Sequence, residues 1–249
     1  MPINGAADPA DLNRYAPVMA NLETEPLELP DVKVLQVIYE IDDASMADLL
    51  PPALHPTIPP TVHVIGIRAD AGPLGAFTLA MVRVGCRAAV RPRGLPTRVV
   101  CTEGEAAEAL KSRWGFPITI GEPILRERYD RQSIEVNEGN VTVLAAQLID
   151  PVPIGNGDLL YTAGMHFATV EREGETKPWL VQVDPDFRVS RADRGRAQID
   201  AFDSGYWNAP RLRPVYPIVA SYTTANITLP RIRYICDPLQ PAISGTVAL

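Results

Sequence analysis

The chain has 249 residues, 46% of them hydrophobic and 21% charged, so it can bury a sizeable core and lacks the composition of a disordered protein. A net charge of −7 and a pI near 5.0 argue against a broad nucleic-acid surface and a polybasic membrane patch, since both need clustered cations. Twenty-five prolines punctuate the chain too often for long helices, and lysine is confined to Lys33, Lys111 and Lys177.

In chain order, residues 1–30 read as an extended arm stopped at Leu29-Pro30, and they lack the basic region and apolar run of a signal peptide. The β-branched run Val32–Ile41 reads as a strand, followed by a short helix over Ser45–Leu50 that Pro51-Pro52 ends. Strands follow at Thr61–Ile67, at Gly75–Gly85 and at Arg98–Cys101; the second of these is so continuously apolar that both its faces should be buried. Thr102 and Glu105 have the spacing of a capping box, and Gly115 is placed to end the helix that they open.

Further strands are expected at Ile118–Ile120, Ile124–Asp130, Gln132–Val136, Asn140–Ile149, Leu159–Glu171, Trp179–Val189 and Val219–Ile227, while Arg196–Asp203 fits strand or helix. Glu138-Gly139-Asn140 and Asn156-Gly157 are hairpin-turn signals. Many strands, few helices and no linker predict a mainly β (α+β) fold: one antiparallel β-barrel domain over 31–249, preceded by the arm. Cys86, Cys101 and Cys236 form no CxxC pair and read as buried free thiols. With no long apolar span, the expected location is the cytoplasm.

The segment Lys111-Ser112-Arg113-Trp114-Gly115-Phe116-Pro117-Ile118-Thr119 resembles the stretch Gly-Arg-Glu-x-Trp-Gly-Phe-Pro-Lys-Lys of acetoacetate decarboxylases. Other blocks agree in the family's order: Gln36-Val37-Ile38-Tyr39, Leu50-Pro51-Pro52-Ala53-Leu54, Pro73-Leu74-Gly75-Ala76-Phe77-Thr78, and Ala225-Asn226-Ile227-Thr228-Leu229-Pro230-Arg231. The resemblance implies a cone-shaped antiparallel barrel with an internal pocket, assembled into homo-oligomers. It also implies Schiff-base chemistry, in which a lysine of depressed pKa attacks a keto acid and the iminium withdraws electrons as CO₂ leaves.

This chain departs from that pattern at each reactive position. The two lysines map to Ile118 and Thr119, the two early carboxylates to Val64 and Leu79, and the first-strand arginine to Val32, or to Lys33 after a one-residue shift. Isoleucine cannot form an imine. A neutral pocket then avoids stranding a lone buried carboxylate, and Val64, Leu79, Phe77, Met81, Trp114, Phe116, Ile118 and Thr119 are expected to line it. Arg68 lies an even spacing from Val64, and Arg83 from Leu79, so strand alternation allows both arginines on the pocket face, the alternative for each being a solvated arginine at a strand end.

Either arginine could polarise a carbonyl, with Tyr39 or His166 as an acid/base group. His63, between Val62 and Val64, is expected at the surface or an interface. The charged stretch Asp184–Asp203 is expected to be a solvated, paired surface, and His55, His63 and His166 are too dispersed for a metal site, so neither metal nor cofactor is expected. The sequence points to an enzyme without Schiff-base chemistry that cyclises, dehydrates or isomerises a hydrophobic carbonyl-containing, polyketide-like metabolite. Two alternatives stay open: a Schiff-base lyase using Lys33, and a non-catalytic small-molecule-binding protein.

Overall fold

The chain is built from strands. The computed structural model describes residues 4–42, 46–159, 161–172 and 174–249. The start of the helix expected over Ser45–Leu50 lies outside these residues; within them Ala47–Leu49 is a single 3-10 turn. After helix α1 (Pro9–Leu12) come β1 (Val18–Met19), β2 (Leu27–Ile41), β3 (His55–Pro56), β4 (Thr61–Ala69), β5 (Phe77–Ala88) and β6 (Arg91–Cys101). Helix α2 (Glu105–Trp114) leads to β7 (Ile118–Ile120), β8 (Ile124–Glu127), β9 (Arg131–Glu138) and β10 (Val141–Pro153). The chain finishes with β11 (Ala163–Arg172), β12 (Glu175–Val183), β13 (Asp186–Phe202), β14 (Pro214–Leu229), β15 (Tyr234–Cys236), α3 (Ala242–Gly245) and β16 (Thr246–Ala248).

All sixteen strands belong to one sheet, ordered β16-β15-β12-β11-β6-β5-β4-β2-β14-β13-β10-β9-β8, with β1 beside β11, β3 beside β5 and β7 beside β6. The sheet is mixed, with parallel pairs at β1–β11, β11–β6 and β6–β7, and its strand order runs open from β16 to β8 in place of the closed antiparallel barrel expected. Its central strands are buried on both faces, and the mainly β architecture is consistent with the expected cone-like fold. Strand alternation sorts the side chains. Leu35, Val37, Val62, Val64, Val82 and Val84 point into one core. Val34, Ile65, Leu79 and Met81 point into a second. Leu125, Ile134 and Val136 of β8 and β9 cover the first core; Gly66 admits Ile134, because a Cβ there would lie 3.1 Å from its side chain. The second core is covered by Ala106, Ala107, Leu110 and Trp114 of α2.

Gly115 ends α2 as expected: it sits at φ 66°, ψ 29° and its N–H reaches the Leu110 and Lys111 carbonyls. The capping box does not form. Gly104 occupies the N-cap with no side-chain bond, and the Thr102 hydroxyl instead accepts the Thr78 N–H at 3.1 Å, tying the helix entry to β5. The expected stop at Leu29-Pro30 is also absent. β2 runs through it, since Asp31 at φ 51° and a register shift against β14 absorb the missing proline N–H as a bulge.

Asn156-Gly157 forms a 3-10 turn rather than a hairpin, whereas Gly139 at φ 57° does turn β9 back onto β10. The strand expected over Trp179–Val189 is broken at Asp184-Pro185 into β12 and β13, and Arg196–Asp203 falls on β13 except for its last residue. Arginines along β13 pair with Glu28, Glu127 and Asp150, although Asp193 is buried. The three cysteines are buried and unpaired with one another. Among the described residues no helix is long and apolar enough to cross a membrane.

Candidate active site

The second core does not close completely. Between β2, β4, β5, β11 and β14 it leaves a cavity of about 60 Å³, smaller than the roomy pocket that a large ligand needs. Its walls are mostly apolar: Val34, Ile65, Ile67 and Ile227 come from the strands, and Phe116 from the turn after α2. Phe77, Leu79, Met81 and Arg83 enter from alternate positions of β5, so one strand supplies both the greasy wall and its cation.

Arg83 is 6% exposed. Its Nη1 donates to the Thr162 carbonyl at 3.0 Å and its Nη2 to the Thr162 hydroxyl at 2.9 Å. Among the described residues no carboxylate pairs with it, and its Nε finds no protein partner. The guanidinium passes close to Gly94, where a Cβ would meet Nε at 2.9 Å. Burial lowers its pKa to about 10, so it stays charged at neutral pH.

Two histidines accompany it. His166, on β11, is 2% exposed and its Nδ1 is 2.8 Å from the Trp114 carbonyl. A carbonyl can only accept, so the proton sits on Nδ1 and Nε2 keeps a lone pair. Burial first, then the positive charge of Arg83, lower its pKa to about 4 despite that bond. Gly164 gives the ring room, because a Cβ there would lie 2.3 Å from Nε2, and Phe116 packs edge-on at 4.3 Å. His63 lies directly across from Arg83 in the β4–β5 ladder. It is buried rather than at the surface, and burial with Arg83 lowers its pKa to about 3.

On the opposite wall the Tyr161 hydroxyl is 2.6 Å from that of Thr223, and burial raises its pKa to about 12. Tyr161 and Thr162 were not singled out in the sequence, where nothing but their position ahead of an apolar strand marks them. His166 carried a better signal, a glycine two residues before it on the same strand face.

Of the residues expected around the pocket, Phe77, Leu79, Met81, Phe116 and Arg83 line this cavity. The others lie elsewhere. Val64 belongs to the first core, and the cavity-facing residue is its neighbour Ile65, because strand residues alternate faces. The same alternation sends Arg68 to the first-core side, where it donates to the Leu125 carbonyl at 3.1 Å. Tyr39 also belongs to the first core, accepting from the Ile199 N–H at 3.1 Å.

Trp114 is fully buried core, its indole donating to the Pro230 carbonyl at 2.8 Å. Ile118 packs against the second core without lining the cavity, and the Thr119 hydroxyl accepts from Arg98 at 3.2 Å. Lys33 turns away, its ammonium 3.1 Å from the Thr224 hydroxyl and 3.4 Å from Asp31. The cavity thus joins a fixed buried cation, a neutral imidazole with a lone pair and a phenol in apolar surroundings. Such a set can move a proton next to a polarised carbonyl.

Comparison with known proteins agrees with this architecture. The family described as Acetoacetate decarboxylase (ADC) matches residues 15–239. The acetoacetate decarboxylase of Legionella pneumophila superposes with a TM-score of 0.70 at 17% identity, covering 85% of this chain and 88% of its own. The enduracididine biosynthesis enzyme MppR, complexed with the condensation product of pyruvate and imidazole 4-carboxaldehyde, gives 0.64 at 16% identity over 85% of this chain and 90% of its own. An acetoacetate decarboxylase-like enzyme from Sphingomonas wittichii gives 0.59 at 17% identity over 83% and 91%. No curated protein sequence matches the chain. At these identities the structural likeness establishes the fold.

Proposed function

The chain belongs to the acetoacetate decarboxylase family, and from that premise we propose that it isomerises, dehydrates or cyclises a hydrophobic carbonyl-containing metabolite without forming an imine. One observation carries the reading: Arg83 and His166 share an apolar cavity whose lining contains no lysine. Of the three lysines, Lys33 is turned toward Thr224, Lys111 is exposed on α2 and Lys177 pairs with Glu175. The same reading has the chain working as a homo-oligomer, as its family resemblance implies, and in the cytoplasm, the location expected from its sequence.

The substrate's carbonyl oxygen sits on Arg83, and His166 Nε2 takes a proton from the adjacent carbon. The C–H bond breaks, its electron pair moves into the enolate, and the oxygen's new charge is stabilised by the guanidinium. An imidazole held near pKa 4 is a weak base in the empty site. Its proton affinity rises as the enolate offsets the charge of Arg83, so base and anion strengthen together. Returning the proton to another carbon isomerises the substrate, and returning it to a departing β-hydroxyl dehydrates it. Attack of the enolate carbon on a second carbonyl closes a ring, the carbonyl's π electrons moving to its oxygen, which takes the proton back from His166. That MppR, on the same fold, is found complexed with the condensation product of pyruvate and imidazole 4-carboxaldehyde supports a pocket suited to carbonyl compounds.

The test is α-proton exchange into D₂O, followed by NMR with a panel of small ketones. Wild-type enzyme should catalyse exchange, and His166→Gln and Arg83→Met should each lose about 100-fold or more. The pH profile follows from the two pKa values: the base works deprotonated and fails below about 4, the arginine works protonated and fails above about 10. Wild-type exchange rates in His166→Gln would sink the reading.

A further inference from the structure

We propose that Phe187 sets which ligands the cavity accepts, by standing where a planar segment of a longer ligand would stack; this rests on the reading of the cavity as a ligand site. Beyond the inner cavity of about 60 Å³ lies an outer hollow of about 420 Å³. Tyr161, Pro185 and Phe187 border both. The Tyr161 and Phe187 rings stack at 4.2 Å between centroids and 18° between planes, forming the wall between the two spaces.

The two rings are held differently. Tyr161 is tethered at its hydroxyl, 2.6 Å from Thr223, whereas Phe187 has no polar atom and is kept in place by packing alone. A rotamer change of Phe187 would open the wall and leave the Tyr161 face free. The outer hollow keeps its shape through Asn156, which donates to the Val189 carbonyl at 3.0 Å, and Arg194, which donates to the Asp158 carbonyl at 3.0 Å.

The inner cavity holds only a few water-sized groups, enough for a carbonyl and its neighbouring carbons. A ligand that uses both spaces is therefore elongated. Its compact carbonyl end lies against Arg83, a flat aromatic or conjugated segment replaces the Phe187 ring on Tyr161, and its far end reaches Asn156 and Asp186 in the hollow. Asp186 favours a neutral or cationic far end over an anionic one.

Calorimetric titration with acetone and with 4-phenylbutan-2-one separates the possibilities. Phe187→Ala should tighten 4-phenylbutan-2-one at least tenfold, and Phe187→Trp should weaken it by a similar factor. Acetone should change less than twofold in both. Phe187→Leu serves in place of alanine if that variant does not fold. An aryl-ketone affinity unmoved by these changes, or one that moves in parallel with acetone, overturns the inference while leaving the inner site intact. Failure of wild-type and variants to bind either ketone overturns the ligand-site reading and this inference with it.

Discussion

The two faces of β4 and β5 are equally buried and yet chemically different. Val62, Val64, Val82 and Val84 point into the first core, which also holds Phe167, Trp207 and Tyr222, while His63, Ile65, Met81 and Arg83, one residue out of step, point the other way, Ile65, Met81 and Arg83 into the cavity lining. There the sheet tolerates an unpaired buried arginine, and Arg83 Nε, His63 Nδ1 and Gln36 Oε1 have no protein partner. Each such group costs stability, and a lone buried charge costs more. Such costs also occur on the first-core side, where Gln132 Oε1 lacks a protein partner. What sets the cavity side apart is that they gather around the buried Arg83, which marks it as the working side and the first core as the drier scaffold, consistent with residues at functional sites being selected for chemistry over packing.

The largest test of that contrast removes the same chemistry from each face. Leu35→Ala opens a void in the dry core and should cost about 2–5 kcal/mol in urea unfolding. Leu79→Ala should cost less, because it enlarges the cavity that Arg83 and His166 also line, whose polar groups can hold water. Equal losses would mean that the cavity face is as dry as the core. Next in size, Arg83→Met should raise stability by about 1–2 kcal/mol while abolishing proton exchange, since a buried unpaired cation gives way to an apolar side chain of similar length.

A third test is pH. His63 and His166 have folded-state pKa values lowered to about 3 and about 4, so acid protonates the unfolded chain first. Their contribution is fully present above the ordinary histidine value and is lost as pH falls from about 6.5 toward 4, at about 1.4 kcal/mol per pH unit for each histidine. His63→Leu should remove about half of that slope and leave the stability above pH 7 nearly unchanged. An unaltered slope would place His63 in contact with solvent.

Much of this organisation was legible in the sequence. The apolar run of β5 announced a strand buried twice, and alternation from Leu79 correctly put Arg83 on one face with Phe77 and Met81. β4 was harder for a physical reason. Thr61–Ile67 is apolar at both odd and even positions, so no polar alternation fixes its inward face, and aligning one residue early exchanged Val64 for Ile65, reversing His63 and Arg68 with it. Tyr161 and Thr162 reach the cavity through the approach to β11, by packing between elements distant in sequence that no local pattern encodes. The capping-box spacing failed because Thr102 found a stronger tertiary use in β5.

The smallest expected effect concerns Ile118, where the family pattern has its lysine. The family resemblance alone would make Ile118→Lys the obvious way to restore imine chemistry. The structure predicts otherwise: Ile118 packs beside the second core but is absent from the cavity lining, so a lysine there could keep its ammonium hydrated and its pKa ordinary. Borohydride trapping with a keto acid followed by peptide mapping should find no adduct in Ile118→Lys. Ile65→Lys, which does line the cavity, provides the contrast. Desolvation and the neighbouring Arg83 would both depress an amine's pKa there, so a folded Ile65→Lys should trap where Ile118→Lys does not. An adduct at position 118 in place of 65 would show that the chain's reactive face is the one its sequence motif marks, and that the cavity beside Arg83 is only packing.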